Sequence, residues 1–370
     1  MPALSFAPAV SLLAAFQRVS PLRPLRSLLR TADGKLHPPR FKPHVPLVRH
    51  AQDEVLARGA AGPHQLASVL RETGKGRTPT VVLGGFVPDS SEQVFLLRRF
   101  FLRSGDLYGV NYPRNGFSLD LICAQLDDLV EELLSRGQPP VIFSVSFGSG
   151  VLLEWLRRSR VAGRDPALAG VVLVSPVACV ADMIAPAAPK PTTLLGRALR
   201  PYLDSAALVR DEIVEKSRLI FTRMFEAGAQ NKATLASLMT AGELTRLHGA
   251  VMGTIRGINA TGACERVQAL RVMSPPSDYF SQAILPLTAA PALILFAEKE
   301  DAVLDRASPT RFTLLNAHRA YFPDSRAQVV SNPLGAPVQH ASLIFHVFDF
   351  LPPITAFYQR LKTRRLKTAA

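Results

Sequence analysis

From residue 80 onward, short apolar runs rich in β-forming residues alternate with longer amphipathic stretches. The runs occupy residues 80–83, 107–110, 140–145, 170–174, 291–296 and 327–330, and helical periodicity fills 92–103, 119–135 and 150–159 between them. Strands alternating with helices imply a parallel sheet covered on both faces. The expected architecture is therefore an α/β fold with a mostly parallel central sheet flanked by helices. Between residues 186 and 287 the strand signal stops and long amphipathic patterns replace it, notably 205–227 and 232–258. A helical insertion into an α/β sheet usually sits over the ligand end, as a cap or lid. The expected division is thus a core of residues 79–185 and 288–360, a cap at 186–287, a basic N-terminal arm at 1–78 and a basic tail at 361–370.

The chain has 370 residues and a formal charge of +14, which on its own raises nucleic acid as a partner. The charge, however, sits at the ends. Residues 1–78 carry 12 basic and 4 acidic side chains, 360–370 carry five basic ones, and the stretch between is nearly neutral. No interleaved basic and aromatic pattern exists, so no specific nucleic-acid contact is expected. An anionic membrane surface is the partner such ends suit better. In the arm, Pro21 and Pro24 break a helical pattern into 9–19 and 25–30, where Leu25, Leu28 and Leu29 share a face. A further helix is expected over 51–70, followed by a loop at Gly74–Gly76. Three scattered cysteines with no C-x-x-C pair suggest neither a disulfide framework nor a zinc site. Residues 1–16 have no positive n-region, and no run of about 18 apolar residues exists, so neither a secretory signal nor a membrane span is expected. The chain reads as cytoplasmic, with room for peripheral contact at the inner membrane surface.

The strongest local signal is Pro140-Val-Ile-Phe-Ser-Val-Ser-Phe-Gly-Ser-Gly150, an apolar strand running directly into S-x-S-x-G and then a helix. A nucleophile elbow needs this layout, because the central serine sits on a tight strand-to-helix turn that small residues must flank. Here Ser144 stands at the first flanking position, where glycine is usual. The turn places Ser146 at a helix N-terminus, where backbone N–H groups can bind a developing oxyanion. A serine hydroxyl also needs a base to take its proton. Of eight histidines, His340 lies in a loop after the last expected strand and before the C-terminal helix at 347–361, while His346, six residues further on, is expected to belong with that helix. The acid should end the preceding strand, and residues 291–305 close in carboxylates. Asp301 is the first choice to orient the imidazole. Glu300 is a close alternative, since a one-residue shift in the strand end swaps them, and Asp305 reads as a helix cap or solvated residue.

These residues together resemble the α/β-hydrolase fold enzymes from about Thr80 to Arg360. The resemblance rests on the elbow, on residues 291–303 with Glu300-Asp301, on Gln339-His340-Ala-Ser-Leu, and on Val81-Val-Leu-Gly-Gly-Phe86 after the first core strand. The chain order serine, acid, histidine is the one this fold assembles. In the family the loop after the first core strand usually reads His-Gly and contributes a second oxyanion N–H. Gly84 takes the His place here, so the resemblance assigns that role to the backbone of Phe86 beside that of Phe147, in a loop expected to be less braced. Residues 111–118 resemble the loop after the next strand, with Tyr-Pro replacing the usual Pro-Asp.

The resemblance implies a two-step acyl transfer through an acyl-enzyme on Ser146, with no metal or organic cofactor. The substrate expected is a small-molecule carboxylic ester or thioester with an apolar, lipid-like acyl group. Two other readings stay open: an acyltransferase using the same residues, and a catalytically silent ligand-binding protein, for which the departures at Ser144 and Gly84 speak. In the insertion, the apolar residues Leu194, Leu195, Leu203, Leu208, Ile213, Leu219, Ile220, Phe221, Met224 and Phe225 suit either a helical core or the wall of an acyl pocket.

Overall fold

The computed structural model describes residues 39–186, 190–204, 210–228, 239–333 and 335–369. The expected helices at 9–19 and 25–30, and Leu208, lie outside them. In chain order the elements are β1 (Lys42–Pro43), α1 (His50–Ala57), β2 (Ser68–Glu72), β3 (Thr80–Leu83), α2 (Ser90–Gln93), α3 (Arg98–Ser104), β4 (Leu107–Asn111), α4 (Leu119–Ser135), β5 (Val141–Val145), α5 (Phe147–Val161) and β6 (Gly170–Val174). Then come α6 (Leu194–Asp204), α7 (Asp211–Gly228), α8 (Ala241–Gly257), α9 (Ala260–Val272), β7 (Ala292–Ala297), α10 (Pro309–Tyr321), β8 (Ser325–Val330) and α11 (Val347–Ala369).

The strands form one eight-stranded sheet in the order β1-β2-β4-β3-β5-β6-β7-β8. The six strands expected from the sequence are all present and pair in parallel. Two further strands extend the β4 edge antiparallel. The expected helix at 51–70 is the source of one of them. It ends at Ala57, because Gly59 takes a left-handed conformation at φ 69° and Pro63 opens a 3-10 turn. Residues 68–72 then gain ladder hydrogen bonds along the open edge of β4. The expected helix at 92–103 is likewise divided, with Val94 and Leu97 turned into the core between α2 and α3.

Alternate residues of the central strands face opposite sides, and each side has its own core. Val81, Leu83, Ile142, Val171, Leu173 and Ile294 pack with α4 and α5, whereas Val82, Phe143, Val145, Val172 and Leu295 pack with α3 and α11. Full burial of β3, β5, β6 and β7 explains their unbroken apolar spelling. Helix α4 begins at the Ser118 cap, whose hydroxyl accepts from the Leu121 N–H, and sets Ile122, Leu126, Leu129 and Leu133 on the sheet.

Helices α6 to α9 lie between β6 and β7, as the loss of strand signal there implied. Thr240 and Glu243 form a capping box that starts α8, residues 232–238 of the expected amphipathic stretch lie outside the described residues, and Asn259 caps α9 by accepting from Gly262 at 2.8 Å. At the C-terminus α11 continues through residue 369, so the basic run lies on a helix. Arg360 and Arg364 pair there with Asp324, and Arg365 donates to the Thr78 hydroxyl. Among the described residues, no helix is long and apolar enough to cross a membrane.

Candidate active site

The site is built at the C-terminal ends of the parallel strands, where loops diverge and leave a crevice. Strand β5 runs into α5 through Ser146, which adopts φ 52° and ψ −118°. A non-glycine residue there is strained, and the surroundings hold it: the Ser146 N–H donates to Val174 O at 2.8 Å, and its carbonyl accepts from Ser149 and Val177. A Cβ on Gly148 would come within 2.3 Å of Gly84 O, and one on Gly150 equally close to Val177 O. Those approaches are why glycine stands at both positions. Ser144 is fully buried, yet its hydroxyl donates to Val172 O at 2.8 Å and meets Ser149 Oγ at 3.0 Å. The departure at that flanking position therefore leaves no unpaired polar group.

His340 Nε2 lies 2.9 Å from Ser146 Oγ, and its Nδ1 is hydrogen-bonded to Glu300 Oε2. An ionised carboxylate only accepts, so Nδ1 carries the proton, and Nε2 is left to accept the Ser146 O–H. The carboxylate on the imidazole is thus Glu300 and not Asp301, the first choice from sequence. Strand β7 ends at Ala297, and the tight turn after it brings Glu300 Oε1 back to accept the Ala297 N–H at 2.7 Å. Glu300 is only 2% exposed, while Asp301 points out of the turn, exposed and without a hydrogen bond or ion pair to a described residue. The two loops are joined directly: the Lys299 N–H donates to Val338 O, and Glu298 accepts the Val338 N–H at 2.7 Å. Beyond His340, Ala341 is held at φ 49° by donating to Ser175 Oγ. Asp305 is neither solvated nor a simple cap. It is buried, accepts the Ala307 N–H and the Thr192 hydroxyl, and ties the start of the insertion to the core.

Phe86 and Phe147 flank Ser146, with ring centroids 5.3 Å apart. The Phe147 N–H belongs to the first turn of α5 and has no intrahelical acceptor. The Gly85 N–H is taken by Gln93 Oε1 at 2.9 Å, whereas the Phe86 N–H has no acceptor among the described residues. Gln93 carries no sequence signal for this contact; it became visible only when α2 was seen to pack behind the loop. It also braces the loop in which Gly84 stands at the histidine position.

Above Ser146 and His340 is a cavity of about 200 Å³. Of the insertion residues named from sequence, Leu194, Leu195, Phe221, Met224 and Phe225 line it. Leu219 is exposed, and Leu203, Ile213 and Ile220 do not reach the cavity. Val251 and Ile255 of α8, and Phe345 from the turn between His340 and α11, complete much of the wall, and sequence does not place either segment relative to the sheet. No charged side chain lines the cavity among the described residues; its polar groups are Gln93, Ser146, Gln339, His340 and Ser342. Nor do the described residues contain a group of three or more His, Cys, Asp or Glu poised to hold a metal.

No protein-family model and no curated protein matches the sequence. Solved structures do match. An esterase from Thermogutta terrifontis superposes with a TM-score of 0.52 at 14% identity, over 80% of this chain and 94% of its own. An epoxide hydrolase from Bacillus megaterium gives 0.54 at 10% identity, over 80% and 97%. A membrane phospholipase A described as a bacterial virulence factor gives 0.54 at 12% identity, over 96% and 97%. These likenesses are of fold: a mostly parallel eight-stranded sheet flanked by helices, and the chain has the α/β-hydrolase fold.

Proposed function

We propose that the protein is a serine hydrolase that cleaves a carboxylic ester or thioester with an apolar acyl group, using Ser146, His340 and Glu300. The observation that carries this reading is the continuous chain of hydrogen bonds from Ser146 Oγ through both ring nitrogens of His340 to the buried Glu300. An esterase and a phospholipase among the proteins sharing the fold are compatible with it. In the first step Ser146 Oγ attacks the acyl carbonyl carbon while His340 Nε2 takes the hydroxyl proton. Glu300 stabilises the imidazolium formed. The Phe147 and Phe86 N–H groups donate to the oxyanion. Collapse of the tetrahedral intermediate breaks the bond to the leaving alcohol or thiol, which receives the proton from His340. Water, deprotonated by the same imidazole, then attacks the acyl-enzyme and releases the acid, restoring Ser146 O–H.

The acyl preference follows from the walls. A neutral cavity lined by Phe, Leu, Met and Val favours a hydrocarbon chain and offers a second charge no partner. Hydrolysis of p-nitrophenyl esters from acetate to palmitate tests the reading. Wild type should turn over esters with a chain-length optimum, and Ser146→Ala should fall to background. Equal turnover by both proteins would refute it.

A further inference from the structure

We infer that Arg266, a residue of the helical insertion, is a positioning residue that together with Gln93 fixes the Phe86 peptide N–H toward Ser146; this rests on the serine-hydrolase reading above. Arg266 lies on α9 and is 2% exposed. Its guanidinium donates to Phe86 O at 2.6 Å, to Pro113 O at 2.9 Å and to Tyr112 O at 3.3 Å, and its central carbon lies 5.8 Å from the Tyr112 ring centroid. It makes no ion pair with a described carboxylate, and its Nε has no hydrogen-bond partner among the described residues. A buried cation held by carbonyl oxygens alone is expensive. Burial lowers its pKa to about 10, which leaves it protonated at neutral pH. A leucine or methionine would fill the same volume without that penalty, so the donors themselves are what the position needs.

Their targets explain why. Three consecutive peptide units run through the loop. The first carries the Gly85 N–H, bound by Gln93 Oε1 at 2.9 Å. The third carries the Phe86 carbonyl, bound by Arg266. The unit between them carries the unpaired Phe86 N–H, and anchors on both neighbours restrict the rotations that would turn it away from Ser146. A Cβ on Gly85 would stand 2.8 Å from Gln93 Nε2 and 3.4 Å from Ser146 Cβ, so a side chain there would push on the Gln93 amide that holds the loop. The brace that a histidine at Gly84 would give from within the loop is supplied from α2 on one side and from the insertion on the other. The insertion therefore contributes to the oxyanion site as well as to the cavity walls.

The test is steady-state hydrolysis of p-nitrophenyl butyrate by wild type, Arg266→Lys, Arg266→Met and Gln93→Leu, with each rate divided by the active sites titrated with a fluorophosphonate. Melting temperatures are measured alongside. Loss of one oxyanion donor costs roughly 100- to 1,000-fold in kcat, so its misorientation should cost about 10- to 100-fold per titrated site in Arg266→Met and in Gln93→Leu, with KM changed less than about threefold. Arg266→Lys, which keeps the charge but replaces the planar fork by a single ammonium nitrogen, should fall between. A lower melting temperature with unchanged kcat per site in these variants would make Arg266 a packing residue and overturn the inference. Should Arg266→Met not fold, Arg266→Lys and Gln93→Leu decide by the same criterion. Wild type that takes no label would overturn the hydrolase reading and this inference with it, whereas labelled wild type beside unimpaired variants overturns the inference alone.

Discussion

Phe221 stands between two voids. The cavity above Ser146 measures about 200 Å³, and a smaller one of about 20 Å³ lies behind it against Leu199, Tyr202 and Val214. Phe86, Val87, Phe221 and Ile255 touch both, and the Phe221 ring lies parallel to that of Phe86 with centroids 6.0 Å apart. Replacing Phe221 by alanine removes the partition and adds the ring's own volume to the joined space. A longer acyl chain then buries more methylenes, each worth about 0.8 kcal/mol, or a factor of about four in kcat/KM. Two more methylenes would raise the ratio of long-chain to short-chain kcat/KM by about 16-fold. Phe221 is half-buried and borders empty space, so the stability lost should fall below the roughly 3–5 kcal/mol of a fully packed Phe→Ala change. The assay is kcat/KM for p-nitrophenyl butyrate, octanoate and decanoate on both proteins. Any disturbance of Phe86 lowers all three rates together and cancels in the ratio. A folded Phe221→Ala protein with an unaltered ratio would refute the reasoning, because the acyl chain would then not point toward Phe221.

Two other perturbations bear on the site and its surroundings. Glu300→Gln should lower kcat by about 1,000- to 10,000-fold by removing the acceptor that sets the His340 tautomer, while Asp301→Asn should stay within about twofold; equal small effects in kinetic assays would remove Glu300 from the relay. Glu92 is buried beside Asp89 and accepts from the Thr254 hydroxyl of α8, and burial first, then the neighbouring carboxylate, pushes its pKa up to about 7. The unfolded chain therefore releases this proton first as pH rises past about 4.5, so the contribution of Glu92 favours unfolding increasingly up to about pH 7 and is constant above. The whole effect is on the order of 3 kcal/mol. Glu92→Gln should remove that slope and be more stable than wild type at pH 8; urea denaturation at pH 5 and pH 8 giving the same pH dependence for both proteins would contradict it.

Much of this was legible in the sequence because the decisive signals are local. An apolar strand entering S-x-S-x-G leaves few conformations open, and the strand ends fall where the apolar runs stop. Ser144 looked like a weakness only because its hydroxyl's partners, Val172 O and Ser149 Oγ, lie on other elements. Sequence leaves Asp301 and Glu300 both open, with Asp301 first, because which of them meets His340 depends on the turn after Ala297, where the Ala297 N–H captures Glu300. Residues 68–70 carry the end of a helical periodicity yet open strand β2, because its pairing partner, β4, is distant in sequence and outweighs the local pattern. Gln93, Val251 and Ile255 lie in stretches of helical periodicity, yet nothing in the sequence directs them or Arg266 to the site. Their roles depend on how the insertion sits on the loops after β3 and β4, which is a property of tertiary packing.

Fluorophosphonate labelling followed by intact mass, on wild type and Ser146→Ala side by side, tests the central claim most directly. A single adduct on wild type and none on Ser146→Ala is the predicted result. A folded wild type without adduct, or adducts on both proteins, would contradict the assignment of Ser146 as the nucleophile.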